Sequence, residues 1–429
     1  MPQESSTCVI TAPNTDKKTF VVDAKGVWIE VENVQIGLNI ENGTGDSSLQ
    51  QRYGEYGAKT SGINAVAFGG KRYDKLTDAK RTATSAEGNQ SFSAGGSNHA
   101  YGDWDIAMGA DNTTYQRNAI SLGKENQSGM TFAEYQASHP GATEDEWKKV
   151  YAWATAIGVT NKVLGQGAVG LGASNEVYDQ AGIGIGHTNK VRGAHSVGIG
   201  RGNKINHDLA YGLGDGNSTE FQSILIGWNN TSKQDYDVIL GRNNSIKGII
   251  LGNINTGDGS GIILGNSNTL NGSEDYIIGR NNTTDGSKQS ITFGHDNTSK
   301  SGYGVTFGAY NTNKGNYNLV GGGKGSGPNN TIGNIENSIM YGGGLYKVGG
   351  SPSAIFGRYN TKNRIDAILE IGNGTSDTDR SNAFEVLSDG RAKVYTAPQE
   401  DTDVARKLEL DNLKQEIETL KATIANLNK

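Results

Sequence analysis

Three glycine-rich motifs in this chain are of a type that can bind nucleotides. GIGIG at 182–186 and GIGRGN at 198–203 have the glycine spacing of a dinucleotide-binding loop, but no helical pattern follows either of them. GGGKGS at 321–326 differs from a phosphate-binding loop because Gly325 stands where a serine or threonine should follow the lysine. The motifs therefore favour turns within a repeat, and we predict no bound cofactor.

Carboxylates and histidines give no stronger indication of catalysis or metal binding. DTDRS at 377–381 has part of the spacing of a calcium loop but lacks its glycine and its terminal glutamate. The acidic run at 144–146 could supply a carboxylate pair for glycan cleavage, yet it opens a predicted helix, where charge at the N-terminus accounts for it. None of the six histidines forms an HxH or HxxxH pair. We predict no catalytic residue, no metal site and no enzyme.

Composition points to an ordered fibrous protein. Glycine makes up 63 of 429 residues, about twice the usual share, and 43 residues are asparagine. The net charge is -6 with both signs scattered, so no nucleic-acid or anionic-membrane partner is expected. Cys8 has no second cysteine to pair with, and no apolar run is long enough to span a bilayer. The N-terminal residues lack the pattern of a secretory signal.

The most specific signal is a repeated phrase, apolar-x-apolar-Gly-x-x-Asn, as in SVGIGRGN. Its glycine recurs 20 times between Gly69 and Gly372, most often at a step of 14, and asparagine follows three positions later in 16 of these repeats. We predict that the glycines are turn residues, the principal ones being Gly158, Gly172, Gly186, Gly200, Gly214, Gly227, Gly241 and Gly265.

Fourteen residues can hold two short strands and two turns, which is one coil of a solenoid. The apolar-x-apolar alternation predicts a strand with one buried face, and the asparagine is predicted to adopt a left-handed conformation or to close an Asx-turn. Each coil encloses too few apolar side chains for an independent core, so we expect burial between chains. The predicted fold class is an all-β, trimeric parallel β-roll.

Two segments differ from the repeat in a recognisable way. Within 128–153, Thr131 with Glu134 and Thr143 with Glu146 each fit a capping box, which predicts two short helices. The predicted organisation comprises an N-terminal β module (1–60) as the candidate attachment end, roll repeats with this insert (61–372), a neck hairpin turning at Asp389-Gly390 (373–400) and a coiled coil (401–429).

The C-terminal residues are predicted to form the coiled coil because apolar residues recur at steps of three and four. Those residues are Leu410, Leu413, Ile417, Leu420, Ile424 and Leu427. The alternation of isoleucine and leucine would by itself favour two strands, whereas the β part favours three. The seam covers less than three heptads, so we expect it to join chains that already associate upstream.

The fourteen-residue phrase resembles the head repeats of trimeric autotransporter adhesins, which implies a left-handed parallel β-roll in trimers over about Gly69–Gly372. NAFEVLSDGRAKV (382–394) with DVARKLELDNL (403–413) resembles the neck of tail fibres and related virion fibres of tailed bacteriophages. Because neither a secretory signal nor a β-barrel anchor is expected, the phage fibre is the preferred interpretation.

The expected function is therefore a trimeric virion fibre, a tail fibre that attaches to the host surface. The alternatives are a capsid-attached head fibre, a cell-surface adhesin and a depolymerase spike. Expected partners are two further copies of the chain, other virion proteins at one terminus and a host-surface glycan or protein, without membrane insertion. The particle would assemble in the host cytoplasm. Aromatic residues of the insert are the candidate receptor contacts, namely Tyr135, Trp147, Tyr151 and Trp153.

Overall fold

A computed structural model describes residues 58–70, 83–323, 330–350, 352–362, 364–397, 399–400 and 406–427, and four short strands nearer the N-terminus. Of these strands, Phe20–Val22 pairs antiparallel with Trp28–Glu30, and Ile40–Asn42 pairs antiparallel with Leu49–Gln51. Most of the predicted N-terminal module lies outside the described residues. The chain divides into two compact units, Met1–Leu213 and Gly214–Lys429, which are described separately.

Each coil of the first unit contains one strand of five residues and one of two. The five-residue strands are Val66–Gly70, Phe92–Gly96, Ile106–Ala110, Ile120–Lys124, Thr155–Val159, Val169–Ala173, Ile183–His187 and Val197–Arg201, and Tyr211–Asp215 contains the unit boundary. The two-residue strands are Lys59–Thr60, Ser85–Ala86, His99–Ala100, Thr113–Thr114, Gln127–Ser128, Lys162–Val163, Glu176–Val177, Lys190–Val191 and Lys204–Ile205.

The second unit has the same alternation, with longer strands in its middle. Its longer strands are Ile224–Trp228, Val238–Arg242, Ser245–Asn253, Thr256–Asn266, Ser273–Arg280, Ile291–His295, Val305–Ala309, Leu319–Gly322, Ile339–Gly343, Ala354–Arg358, Ala367–Asn373, Asn382–Leu387 and Ala392–Val394. Its two-residue strands are Ser218–Thr219, Thr231–Ser232, Thr269–Leu270, Thr283–Thr284, Thr298–Ser299, Thr312–Asn313, Thr331–Ile332 and Tyr346–Lys347.

Equivalent strands of successive coils pair in parallel and in register. Gly186 lies opposite Gly200 in the first unit, and Gly227 lies opposite Gly241 in the second. One repeat of about 14 residues therefore forms one coil, which confirms the predicted parallel β-solenoid. Hydrogen bonds along the axis satisfy the backbone of every inner strand.

The orientation of the repeated phrase differs from the prediction of a buried apolar face. In Val197–Arg201 the second residue, Gly198, is buried, whereas Val197 and Ile199 on either side of it point outward. Ile199 is 37% exposed, and the same position is exposed or half-buried in most other coils. The apolar pair therefore lies outside the coil, and the small residue between its members faces the interior.

The narrow interior explains that small residue. A Cβ added to Gly198 would lie 3.0 Å from Cγ2 of Val191, which comes from the facing two-residue strand. In the second unit the inner position carries Ile239, which is fully buried, and Ser232 stands seven residues earlier, where Val191 stands relative to Gly198. Large and small side chains exchange places between these two coils, which keeps both interiors close-packed.

The asparagine of the phrase has a role that the prediction did not identify. Asn175 is fully buried, and its Nδ2 donates to the carbonyl oxygens of Leu171 and Gly186 and to Oδ1 of Asn161. Its own Oδ1 accepts from the backbone and side chain of Asn189. The predicted left-handed or Asx-turn role is therefore wrong, because the amide instead links successive coils. The residue before it takes the positive φ, as Ser174 does at 55°.

The eight principal turn glycines all have positive φ. The values lie between 113° and 143° for Gly158, Gly172, Gly186, Gly200, Gly214, Gly227, Gly241 and Gly265. At Gly186 the next coil also approaches closely, since an added Cβ would lie 2.1 Å from the carbonyl oxygen of Gly200. Conformation and close approach together require glycine at this position.

The predicted insert forms two helices, α1 (Phe132–Ser138) and α2 (Glu144–Lys149). Both predicted capping boxes are confirmed. The side-chain oxygens of Thr131 and Thr143 each accept a hydrogen bond from the backbone N–H three residues later, and the carboxylate of the glutamate at that position accepts one from the backbone N–H of the threonine. The cap satisfies N–H groups that a helix of one or two turns would otherwise leave unpaired.

The roll of the second unit ends in an antiparallel hairpin. Ala367–Asn373 pairs with Asn382–Leu387, which pairs with Ala392–Val394 around the predicted turn at Asp389–Gly390. Lys347 forms a fully buried ion pair at 3.0 Å with Glu370 of the first hairpin strand. A third helix, α3 (Lys407–Leu427), follows and has no buried residue.

Candidate functional site

The insert folds back onto the turns of the preceding coils through Trp147. This side chain is 7% exposed, its ring lies 6.3 Å from the Tyr115 ring and 6.0 Å from the Phe132 ring, and its Nε1 donates to the carbonyl oxygen of Met130 at 2.7 Å. Trp147 was among the candidate receptor contacts, but it is buried in this packing, so little of its ring is accessible to a ligand. It holds the insert against the roll.

The other three predicted contacts remain at least partly accessible, and they do not form one cluster. Tyr151 and Trp153 stack with their ring centroids 5.2 Å apart and are 39% and 53% exposed. The Arg117 guanidinium lies 5.5 Å from the Tyr151 ring centroid. Tyr135 instead stacks on His139 within and just beyond α1, at 4.3 Å.

A cleft of about 590 Å³ separates α2 from the turns of four successive coils. Its lining comprises Ser61, Glu87, Gly88, Tyr101, Gly102, Asp103, Tyr115, Gln116, Arg117, Glu144, Asp145, Trp147, Lys148 and Lys149. The roll supplies the floor and α2 supplies one wall. The first unit therefore has a concave surface of the size at which proteins commonly bind small ligands.

Stacked aromatic rings form the centre of the floor. Tyr101 and Tyr115 occupy the same position in neighbouring coils, with centroids 5.4 Å apart and planes within 10° of parallel. His99 stacks on Tyr101 from the same strand at 5.7 Å. Burial raises the pKa of the Tyr101 hydroxyl to about 12, so this hydroxyl stays protonated at neutral pH and can both donate and accept hydrogen bonds.

Charged groups beside the rings are held in fixed positions. Asp103 receives a hydrogen bond from the backbone N–H of Asn89 at 2.9 Å and pairs with the Arg117 Nη2 at 3.2 Å, which ties together three coils. On the opposite wall Lys148 pairs with Glu144 at 2.9 Å. Beneath the floor Asp105 accepts from the backbone N–H of Gly102 at 2.8 Å, and burial raises its pKa to about 7.

The acidic run at the start of α2 is explained by the helix. Glu146 completes the capping box, and hydrogen bonds from Thr143 hold the pKa of its carboxyl below the usual value. Glu144 faces Lys148, four residues later, as expected for neighbours on a helix surface. These contacts account for two of the three carboxylates without a catalytic role.

Other predicted positions also have structural surroundings. Asp377 pairs with Arg380 at 2.6 Å in the turn that only partly matched a calcium loop. Within the described parts of the chain, no group of three histidine, cysteine or acidic residues could hold a metal ion. A search of the same residues finds no helix with the length and apolarity needed to cross a membrane.

Sequence reasoning missed Tyr101, Tyr115 and Arg117 as site residues. The available signal was that Tyr101 and Tyr115 stand one period apart in successive turns and that Arg117 stands in the same turn as Tyr115, in the repeat that precedes the insert. Residues in one column of a solenoid become neighbours at a spacing of about 4.8 Å. The sequence of the insert alone does not show that it folds back over this column of residues.

Comparison with known proteins gives no match: no family model matches the chain, and a search of curated proteins finds none with significant similarity.

Proposed function

We propose that this chain is the subunit of a homotrimeric virion fibre of a tailed bacteriophage, most simply a tail fibre that attaches the particle to the host surface. The observation that carries the proposal is an apolar stripe on the outside of the coils in each of the two units. We define it as the outward residues immediately before the turn glycines. Its exposed members in the two units are Met108, Ile157, Ile199, Ile226, Leu251, Leu264, Ile278, Phe293, Tyr341, Phe356 and Ile371.

These residues are 37% to 54% exposed in the single chain. Soluble monomers rarely expose long rows of apolar side chains, because covering them with another chain lowers the free energy. Most coils carry an apolar side chain at this position, with Ala94 and the buried Gly321 as interruptions, so a second copy can pack along the stripe in register. The number three comes from the resemblance to trimeric adhesin head repeats.

Helix α3 supports self-association independently. Its six seam residues, Leu410, Leu413, Ile417, Leu420, Ile424 and Leu427, are between 41% and 79% exposed. An isolated helix with one fully exposed apolar seam is marginally stable in water, whereas packing against other copies would bury the seam. The assignment to a phage particle rests on the resemblance of 382–394 and 403–413 to fibre necks.

Oligomeric state is the first test. Three chains of 45.4 kDa give a native mass of about 136 kDa, and the double variant Ile157→Glu/Ile199→Glu is expected to lose the trimer because it places six charges in the interface. The control Thr160→Glu/Thr188→Glu adds the same charge at exposed turn positions and should remain trimeric. A stable folded wild-type monomer would contradict the proposal, and a dimer would contradict the number three.

The tail can be tested separately with Ile417→Asp. An unpaired carboxylate in each seam position should cost about 3 kcal/mol or more per chain, because the charge loses its hydration on association. We expect loss of helical circular dichroism while the strand signal stays. The control Gln415→Asp, off the seam, should retain the helix. Loss of the strand signal as well would show that the helix is required for assembly of the roll.

The location of the protein on a virion distinguishes a tail fibre from a head fibre and tests the proposed virion role. Gold-labelled antibodies against the chain should mark the tail of purified virions in electron micrographs. Label on the capsid would favour the head-fibre alternative, and absence of label from particles would contradict a virion role.

A further inference from the structure

We propose that the cleft between α2 and the coil turns binds an uncharged saccharide segment, stacked on the face of Tyr101 and hydrogen-bonded to the flanking charged groups. This rests on the proposed function only for the source of the saccharide, the host surface. The binding itself follows from the shape and the chemistry of the cleft.

The aromatic floor provides the stacking surface. Tyr115 is covered on one side by Tyr101 and lies beside Trp147, and His99 stacks on Tyr101. In the preceding coil the same column carries Glu87 instead of a ring, so part of the Tyr101 ring stays open to the cleft. Tyr101 is 37% exposed. The C–H face of a sugar ring matches such a half-exposed aromatic face, because both are flat and weakly polar.

Hydrogen-bonding groups surround this face. Tyr101 and Tyr115 line the cleft beside the charged side chains. Sugar hydroxyls both donate and accept, so they can bind the tyrosine hydroxyls and the carboxylates at once.

The charge balance favours an uncharged ligand. Four carboxylates, from Glu87, Asp103, Glu144 and Asp145, face three cations, from Arg117, Lys148 and Lys149. Two cations are already paired within the cleft, Arg117 with Asp103 and Lys148 with Glu144. A phosphate or sulfate group would meet more like charges, four, than opposite ones, three. In a trimer the cleft would occur three times, so weak single sites would add up on a polymeric surface.

The binding test uses the full-length protein and a printed panel of defined neutral oligosaccharides of two to six residues, followed by titration of the best binder. We expect Tyr101→Ala to weaken binding at least tenfold. Asp145→Asn/Lys149→Gln changes only exposed side chains of α2 and should weaken binding without affecting the fold. The control is Tyr303→Ala, which removes one ring of an exposed stacked pair, with Tyr317 at 5.2 Å, that does not line this cleft.

Binding that is lost in both cleft variants and kept in the control supports the saccharide site. No binding by any oligosaccharide, binding only by charged glycans or by proteins, or equal binding by wild type and both cleft variants would overturn it. None of these outcomes affects the expected trimer mass or the labelling of particles. The saccharide-site proposal can therefore be rejected while the fibre proposal is retained.

Discussion

Gly186→Ala is expected to destabilise the first unit by about 3 kcal/mol or more. Gly186 has a φ of 114°, which side chains rarely adopt, and an added Cβ would lie 2.1 Å from the carbonyl oxygen of Gly200. That oxygen also accepts from the Nδ2 of Asn189 at 2.9 Å, so it cannot move away without breaking the link between coils. Thermal unfolding followed by circular dichroism should show a clearly lower melting temperature.

The matched control is Gly167→Asn. Gly167 also has a positive φ, 68°, but nothing lies within 4 Å of the position of an added Cβ. Asn118 occupies the equivalent turn position with a φ of 61°, so asparagine fits there. This control should stay within about 0.5 kcal/mol of wild type. If Gly186→Ala and Gly167→Asn both had the melting temperature of wild type, the close approach of the coils at the turn glycine would not limit stability.

Several local features were readable from the sequence because they depend on neighbouring residues. The capping boxes of α1 and α2 and the turn at Asp389–Gly390 involve residues within four positions of one another. The period was readable because each coil contacts only its neighbours, so the same constraints recur.

The inside of the coil was not readable from alternation alone. A period of two shows that Val197 and Ile199 share a face, but not which face is interior. The usable signal was volume, since the residue between them is glycine while the facing strand carries Val191. Apolar residues on the outside are then informative, because they indicate a partner surface.

The constancy of the asparagine was a second unused signal. A left-handed turn position favours glycine, aspartate or asparagine but does not require one of them. Asp111, Glu125 and Gly202 all occupy such positions here with positive φ. A position that takes almost only asparagine requires a donor and an acceptor in one short side chain. That requirement is met by the ladder through Asn161, Asn175 and Asn189.

Asn175→Asp tests this ladder with almost no change of shape. The new oxygen would face the carbonyl oxygens of Leu171 and Gly186, which now accept from Nδ2 at 3.0 Å each. A buried carboxylate facing two carbonyl oxygens should cost about 3–5 kcal/mol at neutral pH. The control Ser174→Asp adds the same charge one residue away, at a partly exposed turn position where Asp111 stands in another coil, and should change stability little.

The loss in Asn175→Asp should depend on pH in a defined direction. Burial raises the pKa of Asp105 to about 7 although backbone N–H groups bind its carboxylate, and residue 175 would have fewer compensating donors. Its folded pKa would therefore lie above the unfolded value of about 3.9. The folded state then binds the proton more tightly, so stability falls as the pH rises from about 4 toward the folded pKa and stays low above it.

Near pH 4 the protonated acid of Asn175→Asp can donate to one of the two carbonyl oxygens, and the melting temperature of the variant should approach that of wild type. A difference from wild type that is the same at pH 4 and pH 8 would show that lost hydrogen bonds, rather than the buried charge, limit the ladder.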